Sequence, residues 1–333
     1  MKQRKLRDLT VSAIGMGCMG FTHAYGQGPD EAESINLVHQ AFAEGCTFFD
    51  TAEMYSYFKN EEFVGKALKG LPRDQVVISD KFWPTPLPGQ VMPEGKLSEA
   101  GIRKDLEDSL RRLQTDYIDL YTEHQMEEGT EEQVAEVMGK LIQEGKIRAW
   151  GQSSPTAEQI RKAHAVTPIT AIQSEYSMME RKWEKAVLPL CRELGIGFVA
   201  FAPLGNGFLS GKYHSGATFQ KNDLRNVITR FRPENMQANE PLLDLIRQMA
   251  EAKHCTPAQV ALAWVLAGGD FIVPIPGMRR AERIHENLGA AQVELTEEEY
   301  AQLTRPLDGI TIHGNRDGRD IKKLGTVPDN TIR

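Results

Sequence analysis

Phe48-Phe49-Asp50-Thr51-Ala52-Glu53-Met54-Tyr55 decides how the rest of the chain is read. Residues 46–49, entered from Gly45, have the make-up of a buried strand. The strand ends on an aspartate and opens into a loop that carries a tyrosine five residues on. A carboxylate where an apolar strand runs out is costly to bury unless a cation meets it. A tyrosine close by serves as a proton donor if its surroundings bring its pKa down from about 10. Two more groups stand in matching places. Lys81 ends the next strand, and His124 follows the strand after that.

Working outward, the chain alternates strand and helix. Residues 4–15 read as a β-hairpin turning at Arg7-Asp8. Strands are predicted at 14–19, 46–49, 75–82, 117–122, 147–150, 171–173, 196–201 and 271–275. Helical periodicity falls between them, at 30–44, 61–68, 130–144, 156–164, 184–194, 241–253 and 257–266, and after the last strand at 280–288 and 296–303. A further helix, capped by Ser98, carries Ile102, Leu106, Leu110 and Leu113 on one face. Eight βα units in a row predict an α/β fold, a closed (β/α)8 TIM barrel over residues 1–310 as a single domain. Segment 204–238, rich in Gly, Asn and Arg, is a long loop after strand seven, of the kind that covers substrates. The tail, 311–333, has no periodicity and is expected either disordered or folded back over the barrel mouth.

Composition narrows the function classes. With 41% hydrophobic and 26% charged residues, the chain of 333 residues is ordinary for a globular enzyme. A net charge of −7 argues against bulk nucleic-acid binding. Cys18, Cys46, Cys191 and Cys255 are far apart with no CxxC pairing, and read as small buried hydrophobes in a reducing compartment. No His/Cys cluster has metal-ligand spacing, so no metal is expected. Nothing apolar follows the charged N-terminus, and no apolar run approaches the ~20 residues that span a bilayer. The expectation is a cytoplasmic protein without a membrane or nucleic-acid partner.

Gly15-Met16-Gly17-Cys18-Met19-Gly20 matches G-x-G-x-x-G, the fingerprint of an open dinucleotide-binding sheet. That motif works only where the glycines open a helix directly and set a pyrophosphate on its N-terminus. Here residues 21–30 intervene as loop, and Asp50 lies thirty residues past Gly20 rather than about twenty. The open sheet is set aside. The glycines are expected to let backbone approach a ligand at the barrel mouth, and Gly17, Cys18 and Met19 are counted on the cofactor side.

In a barrel, residues at the C-terminal ends of different strands converge on one face. Asp50, Tyr55, Lys81 and His124 meet that condition. Alternation along a strand turns Val77 and Ser79 inward with Lys81, and Cys46 and Phe48 inward with Asp50, so Lys81 and Asp50 can pair inside the barrel.

These residues resemble the aldo-keto reductase superfamily over residues 4–307. The likeness rests on Asp50-Thr51-Ala52-Glu53-Met54-Tyr55, on Asp116-Tyr117-Ile118-Asp119-Leu120-Tyr121 followed by His124, and on Ile275-Pro276-Gly277 followed by Glu286-Asn287. The resemblance implies the (β/α)8 barrel and NAD(P)H-dependent carbonyl reduction. Tyr55 would be the general acid. Lys81, paired with Asp50, would lower its pKa, and His124 would polarise the carbonyl. The chain departs from the family pattern in having Gln125 where arginine often follows the histidine, and Asp80 where threonine often precedes the lysine.

Phosphate sites in barrels commonly lie between the loops after strands seven and eight. Pro203-Leu204-Gly205-Asn206-Gly207 and Gly277-Met278-Arg279-Arg280 are suitable material there. By resemblance, Arg279 would meet the 2′-phosphate of NADPH, Arg283 would lie against the adenine, and Glu286 and Asn287 would bond its edge. Ser153 and Gln173 would hold the carboxamide, and Phe201 would stack on the nicotinamide. Ser154 replaces a frequent asparagine, and Phe201 a frequent tyrosine. Aromatic candidates for the substrate wall are Phe21, Tyr25, Tyr57, Phe82, Trp83 and Phe208. The expected partner is a small carbonyl compound. The alternatives are an NADPH-binding sensor or regulatory barrel with slow turnover, as in potassium-channel β subunits, and a barrel isomerase or lyase that binds no nicotinamide.

Overall fold

The computed structural model of the chain describes residues 1–316. An antiparallel hairpin comes first, with β1 (Gln3–Leu6) paired to β2 (Leu9–Ser12) around Arg7-Asp8. Arg7 takes a left-handed φ of 51°, a conformation glycine adopts without strain. That explains the weak turn signal in the sequence.

Eight parallel strands follow: β3 (Met16–Gly17), β4 (Phe48–Asp50), β5 (Val77–Phe82), β6 (Ile118–Glu123), β7 (Ile147–Ser153), β8 (Ala171–Glu175), β9 (Gly197–Phe201) and β10 (Ile272–Pro274). Each pairs with its neighbour in sequence. The two ends also meet. Gly15 N–H donates to Pro274 O at 3.0 Å and Gly17 N–H to Pro276 O at 3.1 Å, with a parallel bridge between Gly17 and Gly277. The sheet therefore curls round on itself as a barrel. A Cβ on Gly17 would lie 2.8 Å from Ile275 O, so the glycine serves the seam between first and last strands as well as the mouth.

Around the sheet lie α1 (Glu31–Ala43), α2 (Lys59–Leu68), α3 (Glu99–Leu113), α4 (Glu131–Gln143), α5 (Ala157–Val166), α6 (Val187–Leu194), α7 (Pro233–Ala238), α8 (Glu240–Ala252), α9 (Pro257–Ala267), α10 (Ala281–Gly289) and α11 (Glu297–Leu307). Asp30, Ser98, Thr156, Thr256 and Thr296 cap α1, α3, α5, α9 and α11, each side chain accepting the N–H three residues on. A cap of this kind contributes about 1 kcal/mol. Two expected elements are shorter than read by three residues or more. The first barrel strand covers only Met16–Gly17, because Cys18 turns to φ −85°, ψ −9° and a 3-10 turn begins at Met19. The helix expected over 184–194 starts at Val187. Pro189 then falls in the first turn, where its missing N–H costs nothing, and not in a helix interior.

Apolar residues form two layers. The larger lies between strands and helices. The smaller fills the barrel, with Phe48, Val77, Leu120, Ala149, Val199 and Val273 stacked above Leu6, Leu9 and Val11 of the hairpin, which close the N-terminal end. Val77 faces inward as alternation requires. Cys46 does not, and belongs to the outer layer. It precedes the short strand β4 and still belongs to the turn after α1, its N–H donating to Ala41 O.

The segment after β9 crosses the mouth to residues 22–28. Leu224 N–H donates to Ala24 O at 2.7 Å, Asn206 Nδ2 to Tyr25 Oη at 2.8 Å, and Gln27 N–H to Gln220 Oε1 at 2.6 Å. Residues 311–316 also return toward this segment; the expectation for the rest of the tail falls outside the described residues. Among those described, no helix is long and apolar enough to cross a membrane, and no group of His, Cys, Asp and Glu could hold a metal.

Candidate active site

Asp50, the last residue of β4, points into the barrel mouth with 2% of its surface exposed. Lys81, 1% exposed on β5, meets it at 2.6 Å between Nζ and Oδ1, and also donates to Thr51 O. The other carboxylate oxygen accepts Ser79 Oγ and Gln173 Nε2, each at 2.8 Å. Ser79 and Lys81 are two apart on one strand, so both reach the aspartate by alternation. The carboxylate is thus bonded on both oxygens, as a buried charge requires.

Tyr55 sits above this couple. The next three residues, Ser56, Tyr57 and Phe58, all have positive φ, at 51°, 47° and 74°. Such a bend is strained and persists only where neighbours hold it. Here Ser56 Oγ donates to Thr22 O at 2.5 Å, and Ser56 N–H to His23 Nδ1 at 3.3 Å. Asn60 Nδ2 donates to Thr22 Oγ1 and Cys18 O. The phenol ring lies with its centroid 4.9 Å from Lys81 Nζ. His124 meets it edge-on at 5.7 Å and His23 stacks on it at 5.9 Å. Trp83 packs against His124 at 5.0 Å. His124 Nδ1 is buried and has no hydrogen-bond partner among the described residues.

Burial and charge act on these groups in opposite senses. Burial alone would lower the Lys81 pKa, but Asp50 and Tyr55 outweigh it and hold the lysine above its ordinary value. For Tyr55 burial is the larger effect. It pushes the phenol above its usual 10, while Lys81 pulls it down and Asp50 adds to the rise. The expected lowering of the tyrosine is thus reversed. His124 lies well below the usual imidazole range, through burial first and then Lys81. Burial also lowers His23, to about 4. Both rings are neutral at neutral pH.

The four groups open on, or lie just beneath, a cavity of about 750 Å³. Of the residues expected on its cofactor side, Gly17, Met19, Ser153, Gln173, Phe201, Pro203, Leu204, Gly207, Gly277, Arg279, Arg283 and Asn287 line it. Lys81 lies behind Asp50. Cys18 does not line it: its side chain is fully buried, its N–H donates to Asp50 O, and its carbonyl accepts Asn60. Met278 is fully buried in the outer apolar layer. Glu286 is turned to Arg283, with which it forms an ion pair. Arg279 donates to Gly20 O and Tyr25 O at 3.2 and 3.0 Å, bracing the loop after β3. Asn287 Nδ2 donates to Gly277 O at 3.3 Å, and its Oδ1 is buried without a partner among the described residues.

Of the aromatic candidates, Tyr25 and Trp83 line the cavity, while Phe21, Phe82 and Phe208 pack in the outer layer and Tyr57 lies off the wall. Trp183 and Tyr213 line it unforeseen. So do His23, Glu175 and Arg316. A further unforeseen support is Glu53, which accepts Trp83 N–H at 2.5 Å and Lys96 Nζ at 2.9 Å, both buried, and Gln90 Nε2 at 2.9 Å, part-buried. Lys96 also reaches Asp105 at 2.7 Å. This network fixes the loop that carries Trp83.

The arrangement offers a phenol proton, a buried cation beneath it, a neutral imidazole beside it, and a basic rim where Arg279, Arg280 and Arg283 gather. Known proteins resemble the chain as a whole. The Aldo/keto reductase family model matches residues 13–307. A probable aldo-keto reductase 1 from Glycine max is 41% identical over 310 residues, covering 92% of this chain and 88% of that one. The structure of a glycerol dehydrogenase from Gluconobacter oxydans superposes with a TM-score of 0.82 at 29% identity, covering 92% of this chain and 94% of the other. An aldo-keto reductase from Klebsiella pneumoniae in complex with NADPH gives a TM-score of 0.72 at 30% identity, over 92% and 96% of the two chains. With the family model matched over residues 13–307 and relatives alike in sequence and fold over nearly the whole chain, the chain belongs to the aldo/keto reductase family of oxidoreductases.

Proposed function

We propose that the protein reduces an aldehyde or ketone to an alcohol, with NADPH as hydride donor and Tyr55 as general acid. The observation that carries this reading is the buried Lys81–Asp50 couple beneath Tyr55, at the floor of a cavity whose rim holds Arg279, Arg280 and Arg283. The residues present fit the cofactor. Phe201 offers an apolar face in the cavity, Asn287 has an uncommitted buried acceptor, and the three arginines suit phosphate oxygens. The Klebsiella relative is described in complex with NADPH.

When bound, the nicotinamide supplies the hydride that the side chains lack. The chain's own residues handle the oxygen. As negative charge grows there, the Tyr55 hydroxyl and the neutral His124 ring donate to it. Proton transfer from Tyr55 leaves a phenolate, which the Lys81 ammonium stabilises while Asp50 and Thr51 hold the lysine in place and Ser79 holds Asp50. A phenol held above 10 by burial is fully protonated at neutral pH, as an acid must be. Walls of Trp83 and Trp183 suit a substrate with an apolar body.

NADPH consumption with a panel of aldehydes tests the reading. Tyr55→Phe is expected to lower kcat by about 10²–10⁴, the contribution of a positioned acid, with NADPH affinity near wild type. Undiminished turnover in that variant would reject Tyr55 as the acid. Tight NADPH binding with no turnover of any aldehyde would instead support a sensor.

A further inference from the structure

Tyr55 has two imidazoles for neighbours, and the reading above uses only His124. The second, His23, lies nearly parallel to the phenol, with ring centroids 5.9 Å apart and 22° between the planes. It comes from the loop between β3 and α1, and bonds fix that loop at almost every step. His23 N–H donates to Met19 O at 3.0 Å, and Tyr25 N–H donates to His23 O at 3.0 Å. Arg279 holds Gly20 O and Tyr25 O on either side. Ala24 takes a left-handed φ of 71°, and its carbonyl is met by Leu224 N–H from the segment across the mouth. Thr22 accepts Ser56 Oγ on its carbonyl and Asn60 Nδ2 on its hydroxyl. The ring is therefore set against Tyr55 by the chain on both sides of it.

The same bonds decide which ring nitrogen carries the hydrogen. Ser56 N–H points at Nδ1 from 3.3 Å. Ser56 Oγ also lies 3.4 Å from Nδ1, but its own hydrogen goes to Thr22 O. A nitrogen that accepts a backbone N–H bears no hydrogen itself. Burial keeps the ring neutral, with a pKa lowered to about 4. The hydrogen accordingly sits on Nε2. That atom has no hydrogen-bond partner among the described residues, and the ring lines the cavity with Met54, Tyr55 and His124. A donor of fixed tautomer thus stands beside the reacting phenol with no acceptor from the described chain to meet it.

We propose that His23 is a specificity residue, donating from Nε2 to an acceptor atom of the substrate next to the reacting carbonyl. This rests on the carbonyl-reductase reading above. Tyr55 and His124 serve the carbonyl oxygen, so a donor beside them is placed for the next atoms of the substrate. Aldehydes and ketones with an oxygen or nitrogen acceptor on the adjacent carbon satisfy it. Those without one leave a mostly buried N–H unpaired, which a site built to hydrogen-bond its substrate discriminates against.

The test compares pyridine-2-carboxaldehyde with pyridine-4-carboxaldehyde, alike in size and differing in where the acceptor nitrogen lies, using NADPH and the full chain. Three variants separate the roles of the ring. His23→Phe keeps an aromatic face without donors. His23→Asn keeps an acceptor near the Nδ1 position for Ser56 N–H and lacks Nε2. His23→Gln carries an amide donor near the Nε2 position. The ratio of kcat/KM for the 2-isomer over the 4-isomer is expected to fall about three- to tenfold in His23→Asn and His23→Phe, the range of a neutral hydrogen bond. The change should lie mainly in KM, and His23→Gln should restore part of the ratio. Because each protein is its own control, a partly unfolded variant does not disturb the comparison. A ratio unchanged in His23→Asn, including an equal loss for both isomers, overturns the proposal. An equal fall in His23→Gln and His23→Asn also overturns it. If wild type reduces neither aldehyde, the reductase reading fails, and titration with pyridine-2-methanol and pyridine-4-methanol in the presence of NADPH still judges the histidine, read by fluorescence of Trp83 and Trp183 in the cavity wall. Binding of the 2-isomer alone weakened about threefold or more in His23→Asn supports the assignment, and equal binding overturns it.

Discussion

Lys81 Nζ lies 2.6 Å from Asp50 Oδ1, and the two side chains are 1% and 3% exposed. Breaking a pair so thoroughly removed from water leaves an uncompensated charge, which costs about 3–5 kcal/mol. Asp50→Asn and Lys81→Met are each expected to lose stability on that scale, read by urea unfolding, and to lose turnover. The double variant should recover part of the stability and none of the activity. If the two single losses simply add, the groups are not coupled and the proposed support for Tyr55 is absent.

The dependence of reduction on pH follows from the same groups. Burial pushes Tyr55 above 10 despite Lys81, so the acid stays protonated through neutral pH and is lost only as pH rises past its raised value. His124 is depressed well below 6.5, so it is neutral above that and contributes no acid limb near neutrality. The profile of kcat/KM for an aldehyde should therefore be flat across the neutral range and fall only in alkali. A descending limb that begins near about pH 7 would mean that the proton comes from a group other than this tyrosine.

Asp50, Lys81 and His124 were legible in sequence because each stands at a strand end, and the period of two decides which side it faces. The same rule misplaced Cys46, which lies where the chain is still leaving a helix turn. The bend at Ser56–Phe58 carries no glycine to announce its positive φ. It is held instead by Thr22, His23 and Asn60. Glu53 and Lys96 are 43 residues apart and meet only in three dimensions. Arg316 falls in a stretch without periodicity, placed by bonds to Thr229 and Asn239 that no local pattern signals. The direction of the Tyr55 shift was misread for a related reason. Sequence places a lysine near a phenol, but the balance depends on how completely the phenol is buried.

Arg279 has two uses in the structure. Its guanidinium lines the cavity rim, and it donates to Gly20 O and Tyr25 O. If it also reads a 2′-phosphate, Arg279→Ala should weaken NADPH by about ten- to a hundredfold, with a smaller effect on NADH from loosening of the loop. Fluorescence titration with both cofactors measures the two losses. Equal losses would assign Arg279 to the loop alone.

Asp80 gives a prediction independent of catalysis. It faces outward from β5, beside Lys81 in sequence and near the buried Glu61–Arg112 pair, which meets at 2.6 Å. Both its carboxylate oxygens are buried without partners among the described residues. Burial pushes its pKa up to about 7, against the pull of Lys81 and Arg112. A folded pKa raised above the unfolded value of about 4 means that the native state holds the proton more tightly. Its contribution to stability is full below about pH 4 and is lost as pH rises through about 7. Asp80→Asn removes that titration while keeping the shape. Relative to wild type, its Tm should therefore gain on going from about pH 5 to about pH 9. Thermal unfolding across that range decides the matter: parallel curves for the two proteins would show that Asp80 does not titrate there.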